Sequence, residues 1–414
     1  MNASRLTFIH RILKRWRHFR SRLREYEKHN LAEWQYWGSK RAGRALGVGP
    51  PNSVLRDGTS NGRQCKIEEC QKWPEVRYAR PRQSRELGLE LNRVATDDSE
   101  SAAASLRRGI EHAEGEKHDL ALDDLGQGLQ LDPSNADAYA SRGAVHARCG
   151  RSTQALADLR KALELEPRHP EANFNRGKLY VALGEYLKAI QDLNLVLELD
   201  PTDAEAYVNR GRAYDANGQI DAASVDLQCA VKLGVSDAAT HSLLGCIQLQ
   251  MNKPRAALSS FSKAIRMEPG HAGLYYHRAL AYAAVGQVQS ALDDYGRAVR
   301  CHPQMHQALM NRGVTYLAIK KYDLAIADLT AAIEIGEEIA YCYCCRGRAY
   351  LKRGDYRLAI ADCTESILRN TSNAVAFYDR ARAYQAVGEQ RRAVADLARA
   401  NRLERDASVR FKST

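Results

Sequence analysis

The chain has 414 residues, 44% of them hydrophobic, and its 61 Lys and Arg outnumber its 50 Asp and Glu for a formal net charge of +11. Its 10 cysteines are expected as reduced thiols, which argues against a disulfide-stapled secreted fold. No run approaches the roughly 18 apolar residues of a membrane-spanning helix, so a cytoplasmic protein is the first expectation.

The charge is uneven along the chain. Residues 1–100 hold 21 basic and 12 acidic side chains and all four tryptophans, Trp16, Trp34, Trp37 and Trp73. Residues 1–24 carry eight Lys or Arg and no Asp or Glu, with Ile9, Ile12, Leu13, Trp16, Phe19 and Leu23 at helical spacing. A helix here is apolar on one face and basic on the other. That is the form of a mitochondrial transit peptide, of a helix on an anionic membrane, or of an arm on nucleic acid. Residues 1–40 are therefore expected as a basic amphipathic arm. Glycines at 43, 47, 49, 58 and 62 and the Pro50–Pro51 pair mark 41–101 as a disordered linker. Cys65 and Cys70 have no histidine or second cysteine pair beside them and do not read as a zinc site.

From residue 102 a 34-residue period holds without insertion to 407. Units begin at Ala102, Ala136, Pro170, Ala204, Ala238, Ala272, His306, Ala340 and Ala374, and 408–414 remain as a tail. Position 20 of the unit is alanine all nine times, and position 8 is glycine in seven units and alanine in two (Ala279, Ala381). Position 11 is tyrosine in six units and position 32 is proline in five. The spacing predicts two amphipathic helices, over positions 1–14 and 17–30. Small residues at 8 and 20 let their backbones approach, and the large residue at 24 fills the space beside them. Proline at 32 ends the second helix. No unit can bury its own apolar face, so the units must stack.

In period and in the order of its small, aromatic and proline positions, this pattern resembles the tetratricopeptide repeat over about three quarters of the chain. The resemblance implies an all-α, right-handed α-solenoid of nine helix-turn-helix units. It also implies a concave groove lined by first-helix positions 2, 5, 6, 9, 12 and 13.

Position 7 is arginine in eight units and position 23 is aspartate in the same eight; the fifth has Leu244 and Ser260. In an antiparallel helix pair these positions lie side by side, so Arg176 with Asp192, Arg210 with Asp226 and Arg312 with Asp328 are expected ion pairs. The fifth unit also has Val235 in place of the spacing proline upstream and Pro254 at the start of its second helix, which makes it a candidate softer joint.

For the groove, position 6 supplies Asn175, Asn209, His277 and Asn311, and position 9 supplies Lys178, Arg212, Arg348 and Arg382. The asparagines resemble the ladder of O-linked N-acetylglucosamine transferases, where amides hold a peptide backbone, and the cations suit an acidic peptide. The Lys and Asn arrangement that related proteins use to clamp chaperone tails is not met. Cys342, Cys344, Cys345 and Cys363 read as small apolar filler. No nucleophile–base set or phosphate-cradling glycine loop is read, and no cofactor or metal is expected. With seven residues after the last unit, no catalytic domain is expected.

The chain thus reads as a non-enzymatic scaffold that binds a partner protein or extended peptide in its groove. The alternative is a localisation adaptor, tethered by residues 1–40 to a membrane surface, nucleic acid or mitochondrion. Self-association through an uncapped last unit is a further expectation.

Overall fold

The computed structural model describes residues 97–336 and 339–412; the expected arm and most of the linker, with Cys65 and Cys70, lie outside the described residues. The described residues form eighteen helices and no strand. They fall into nine consecutive antiparallel pairs: α1 (Asp97–Glu114) with α2 (His118–Leu131), α3 (Ala136–Arg148) with α4 (Ser152–Leu165), and α5 (Pro170–Ala182) with α6 (Tyr186–Leu199). Next come α7 (Ala204–Ala216) with α8 (Ile220–Lys232), α9 (Ala238–Gln250) with α10 (Pro254–Met267), and α11 (Ala272–Ala284) with α12 (Val288–Cys301). The last three are α13 (His306–Ala318) with α14 (Tyr322–Ile335), α15 (Ile339–Arg353) with α16 (Tyr356–Arg369), and α17 (Ala374–Ala386) with α18 (Gln390–Lys412). The architecture is an α-solenoid of tandem helix-turn-helix units.

Each unit is punctuated by local chemistry. The side chains of Asn135, Asp203, Asp237 and Asn373 accept from the backbone N–H three residues on, capping α3, α7, α9 and α17. Between the two helices of a unit, position 15 is always left-handed. Gly150, Gly184, Gly218, Gly286, Gly354 and Gly388 occupy it in six units, and Glu116, Asn252 and Lys320 in the others at φ 59°, 55° and 64°. This glycine signal is present in the sequence, and position 15 is the hinge of every hairpin.

The hairpin core is built as the small residues dictate. A Cβ placed on Gly143 would lie 2.8 Å from Leu159 Cγ and 3.3 Å from the Ala155 carbonyl oxygen; one on Gly177 would lie 2.9 Å from Leu193 Cγ. Position 8 thus rests directly on position 24, whose side chains Leu125, Leu159, Leu193, Leu227, Phe261 and Leu329 are wholly buried. Pro254 sits in the first turn of α10, where its missing N–H costs no helical hydrogen bond, so it leaves the helix intact.

Both ends depart from the expected repeat bounds. The first helix begins at Asp97, ahead of Ala102, and α18 has 23 residues where α16 has 14. The last helix continues past residue 407 to Lys412, and up to residue 405 its outer face exposes Arg391, Arg392, Arg399, Arg402, Glu404 and Arg405 around Val394.

Units stack through the second helix of one against the first helix of the next. First helices of successive units also touch one another at most junctions, whereas second helices show no contact of that extent. The first helices therefore line the inner, tighter side of the stack, which is the groove. The contact between α8 and α9 is the least extensive second-to-first-helix junction among the described residues.

Candidate peptide-binding groove

The groove is held by an arginine at position 7 that closes the hairpin of eight units and, in four of them, also reaches the preceding unit. Arg176 donates from Nε and Nη2 to the two carboxylate oxygens of Asp192 at 2.8 and 2.7 Å. Arg210 does the same to Asp226 at 2.8 and 2.8 Å, and Arg312 to Asp328 at 2.7 and 2.7 Å. Arg142, Arg278, Arg346 and Arg380 repeat the two-point pairing, while Arg108 reaches Asp124 through Nε at 3.2 Å. Such fork-on-carboxylate geometry is the strong form of the ion pair.

Two further features of this arginine are not apparent from the spacing of 7 and 23. Its third nitrogen, Nη1, donates backwards to position 25 of the preceding unit: Arg210 to Asn194, Arg278 to Ser262, Arg346 to Thr330 and Arg380 to Thr364, at 2.8 to 3.2 Å. The guanidinium also lies between aromatic rings one turn before and after it. Arg210 is 5.5 Å from the Tyr207 ring and 5.7 Å from Tyr214; Arg346 is 5.3 Å from Tyr343 and 5.9 Å from Tyr350. In the fifth unit the set changes together. Leu244 replaces the arginine, and Ser260 donates instead to Gln248, which stands where six units have tyrosine and two have histidine, at 2.8 Å.

The candidate groove residues divide by what they already bond. Asn209 is buried and donates to the Glu205 carbonyl at 2.9 Å. Asn311 donates to the Gln307 carbonyl at 2.9 Å and to the Tyr276 hydroxyl at 3.2 Å, so both of its amide hydrogens are engaged and its oxygen is what it can offer. Asn175 is partly buried. His277 stacks on Phe261, with ring centroids 5.8 Å apart and planes 14° apart, and burial pushes its pKa down to about 4; it is a neutral aromatic wall.

The position-9 cations also differ among themselves. Arg348 donates from Nε to Asp379 Oδ2 at 2.7 Å, across to the next unit. Burial works against the charge of Arg348, but the buried Asp379 carboxylate more than offsets it and holds the arginine protonated. Arg348 is thus neutralised from within, a correction to its expected role as a free groove cation; aspartate rather than asparagine at position 6 of the last unit is the signal. Arg382 is exposed. Lys178 lies 5.1 Å from the centre of the Phe174 ring, and burial holds its pKa below the ordinary lysine value, with Glu205 and Asp203 opposing that shift and Arg148 and Arg212 adding to it. Burial likewise lowers Arg212, which forms no ion pair with any described residue. Toward the middle of the array, partly buried Leu243, Cys246, Leu280 and Val314 make the first-helix face apolar.

The cysteines are deep in the packing. Cys342 and Cys345 have CxxC spacing, but both are buried with Cys344 and Cys363, and burial pushes the Cys345 and Cys363 thiols above their ordinary range, away from the thiolate form that metal binding and redox exchange need. His302 and His306 are four apart, yet α12 ends at Cys301 and α13 begins at His306, so they do not share a helical face. Among the described residues there is no cluster of three metal-ligating side chains, and no helix is long and apolar enough to cross a membrane.

Models of the TPR repeat match residues 147–184 and 177–218, and models of the tetratricopeptide repeat match 204–233, 242–305 and 278–338. No curated protein matches the chain in sequence. Among solved structures, YrrB, described as a TPR protein with an unusual peptide-binding site, is 22% identical with a TM-score of 0.42, over 44% of this chain and 95% of its own. MamA from Desulfovibrio magneticus RS-1 is 24% identical with a TM-score of 0.38, over 42% of this chain and 97% of its own. A tetratricopeptide repeat protein from Parabacteroides merdae is 20% identical with a TM-score of 0.42, over 60% and 99%. With its nine in-phase helix pairs and these family matches, the chain belongs to the tetratricopeptide repeat family.

Proposed function

We propose that the protein is an interaction scaffold holding an extended peptide in its groove, with acidic side chains over units two to four and apolar side chains over units five to seven. The observation that carries this reading is Arg212, a partly buried groove cation that forms no ion pair with a described residue and on which Asp237 and Glu205 act only from a distance, with Lys178 close enough to feel its charge. Burial takes more from the charge of Arg212 than Asp237 and Glu205 return to it, so a ligand carboxylate in direct contact with Arg212 would recover part of that cost. Arg348, at the same position of unit eight, shows the satisfied form of the arrangement, with Asp379 supplying the carboxylate from within.

The test is fluorescence polarisation of the full chain against extended peptides that pair an acidic stretch with an apolar one, with the double variant Lys178→Gln, Arg212→Gln alongside. Each lost cation should weaken binding about tenfold, the scale of one charge-assisted hydrogen bond, without lowering the melting temperature. Peptides that bind the variant as tightly as the parent, or fail to bind either, would remove the acidic-peptide reading. A second reading rests on the net basic character of residues 1–100: the arm tethers the array to an anionic surface. Deleting residues 1–40 should then abolish salt-sensitive sedimentation with anionic vesicles, and an undiminished pellet would exclude it.

A further inference from the structure

Outside the groove, the junction of units four and five carries an open pocket of about 400 Å³, lined by Val231, Gly234, Val235, Ser236, His241, Lys263, Arg266 and Met267. It lies where the connection between units differs from its neighbours: Val235 stands at the proline position, and Gly234 ends the preceding turn at φ 102°. His241 occupies position 4, where Tyr139, Tyr207, Tyr275 and Tyr343 stand in other units. It is 3% exposed, and no described residue hydrogen-bonds its ring. Lys263 and Arg266 project one turn apart from α10, both exposed and neither paired with a carboxylate among the described residues. Among the described residues the acid that acts on the histidine is Asp237, whose carboxylate accepts from the backbone N–H and hydroxyl of Thr240, at 2.7 Å each.

The His241 ring, which hydrogen-bonds no described residue, Lys263 and Arg266, which pair with no described carboxylate, and Ser236 line a space with Val231, Val235 and Met267 as apolar walls. We propose that this pocket binds a phosphate monoester. The dianion would lie between Lys263 and Arg266 and accept a hydrogen bond from the His241 ring, and its organic part would rest on the three apolar side chains. Two positive charges match a dianion better than a carboxylate, which would leave one uncompensated. The surroundings fix the electrostatics of His241. Burial, then Lys263, lowers its pKa, Asp237 raises it and Arg266 lowers it; a bound dianion reverses the balance by cancelling both cations.

The site is separate from the groove, so its fate is independent of the peptide reading. The probes are phenyl phosphate, inorganic phosphate and benzoate, titrated into the full chain by calorimetry and by the imidazole C–H resonances in NMR. His241→Gln assigns the relevant resonance, and thermal melts establish that each variant is folded. Phenyl phosphate should bind saturably, more tightly than either other anion, and the His241 resonance should titrate at higher pH in its presence. Lys263→Ala and Arg266→Ala should each weaken binding about tenfold. A phosphotyrosyl peptide run in parallel separates the sources of the ester: tighter binding than phenyl phosphate assigns the pocket to a modified partner, and equal binding to a free ester. Absence of saturable binding at millimolar phenyl phosphate, or a folded Lys263→Ala, Arg266→Ala double variant that binds it unchanged, would overturn the proposal.

Discussion

Arg176 and Asp192 face each other across one helical hairpin, joined by two parallel hydrogen bonds of 2.8 and 2.7 Å, with 22% and 8% of their side chains exposed. Removing one partner strands the other in a mostly buried place. Arg176→Ala should therefore destabilise the array by about 1–3 kcal/mol in chemical denaturation. The double change Arg176→Leu, Asp192→Ser copies the fifth unit's Leu244 and Ser260 and should cost less than Arg176→Ala alone. Additive losses in the double-mutant cycle would show the two side chains to be energetically independent.

Two helical glycines should respond to alanine with opposite signs. Gly177→Ala drives a methyl to 2.9 Å from Leu193 Cγ, within a fully buried contact, and should cost about 1–3 kcal/mol through overpacking. Gly126→Ala meets nothing within 4 Å and should stabilise α2 by roughly 0.5–1 kcal/mol, because alanine loses less backbone entropy. Thermal melts of the two single variants decide it; shifts of the same sign would contradict the packing described for position 8.

Lys320 holds φ at 64° in a turn that six other units make with glycine. A side chain in the left-handed region crowds its own backbone, so Lys320→Gly should raise stability by about 0.5–1 kcal/mol. A fall in melting temperature would show that lysine's contacts outweigh the backbone strain.

His169, buried at the entry to α5, bonds Asp137 of the preceding unit at 2.9 Å through Nε2. The hydrogen bond to Asp137 raises the histidine pKa above its usual value and lowers that of the aspartate. The raised histidine contributes stability that is complete below its unfolded pKa of about 6.5 and is lost as pH climbs through the folded value; the lowered aspartate contributes above about 3.8 and is lost in acid. Asp137→Asn should therefore cost more melting temperature at pH 5.5 than at pH 8.5. An equal cost at both would mean that His169 stays neutral throughout.

The 34-residue beat, the two helices of each unit and the partnership of positions 7 and 23 are all legible in the sequence, because they are local. A residue and its partner sixteen positions on share one hairpin, and hairpin geometry is set by helix period and turn length. The small residue at 8 against the large one at 24 is written in the same register. What crosses from one unit to the next was decided by the tertiary structure. Arg348 spends its charge on Asp379, Asn311 gives its amide to Tyr276, and the position-7 arginines reach back to Asn194, Ser262, Thr330 and Thr364. The buried His241 likewise meets Lys263 and Arg266 only where α8, α9 and α10 converge. Such contacts depend on the small rotation and offset between stacked units, a quantity summed from all the side chains packed at each interface, and no single position in the repeat encodes it.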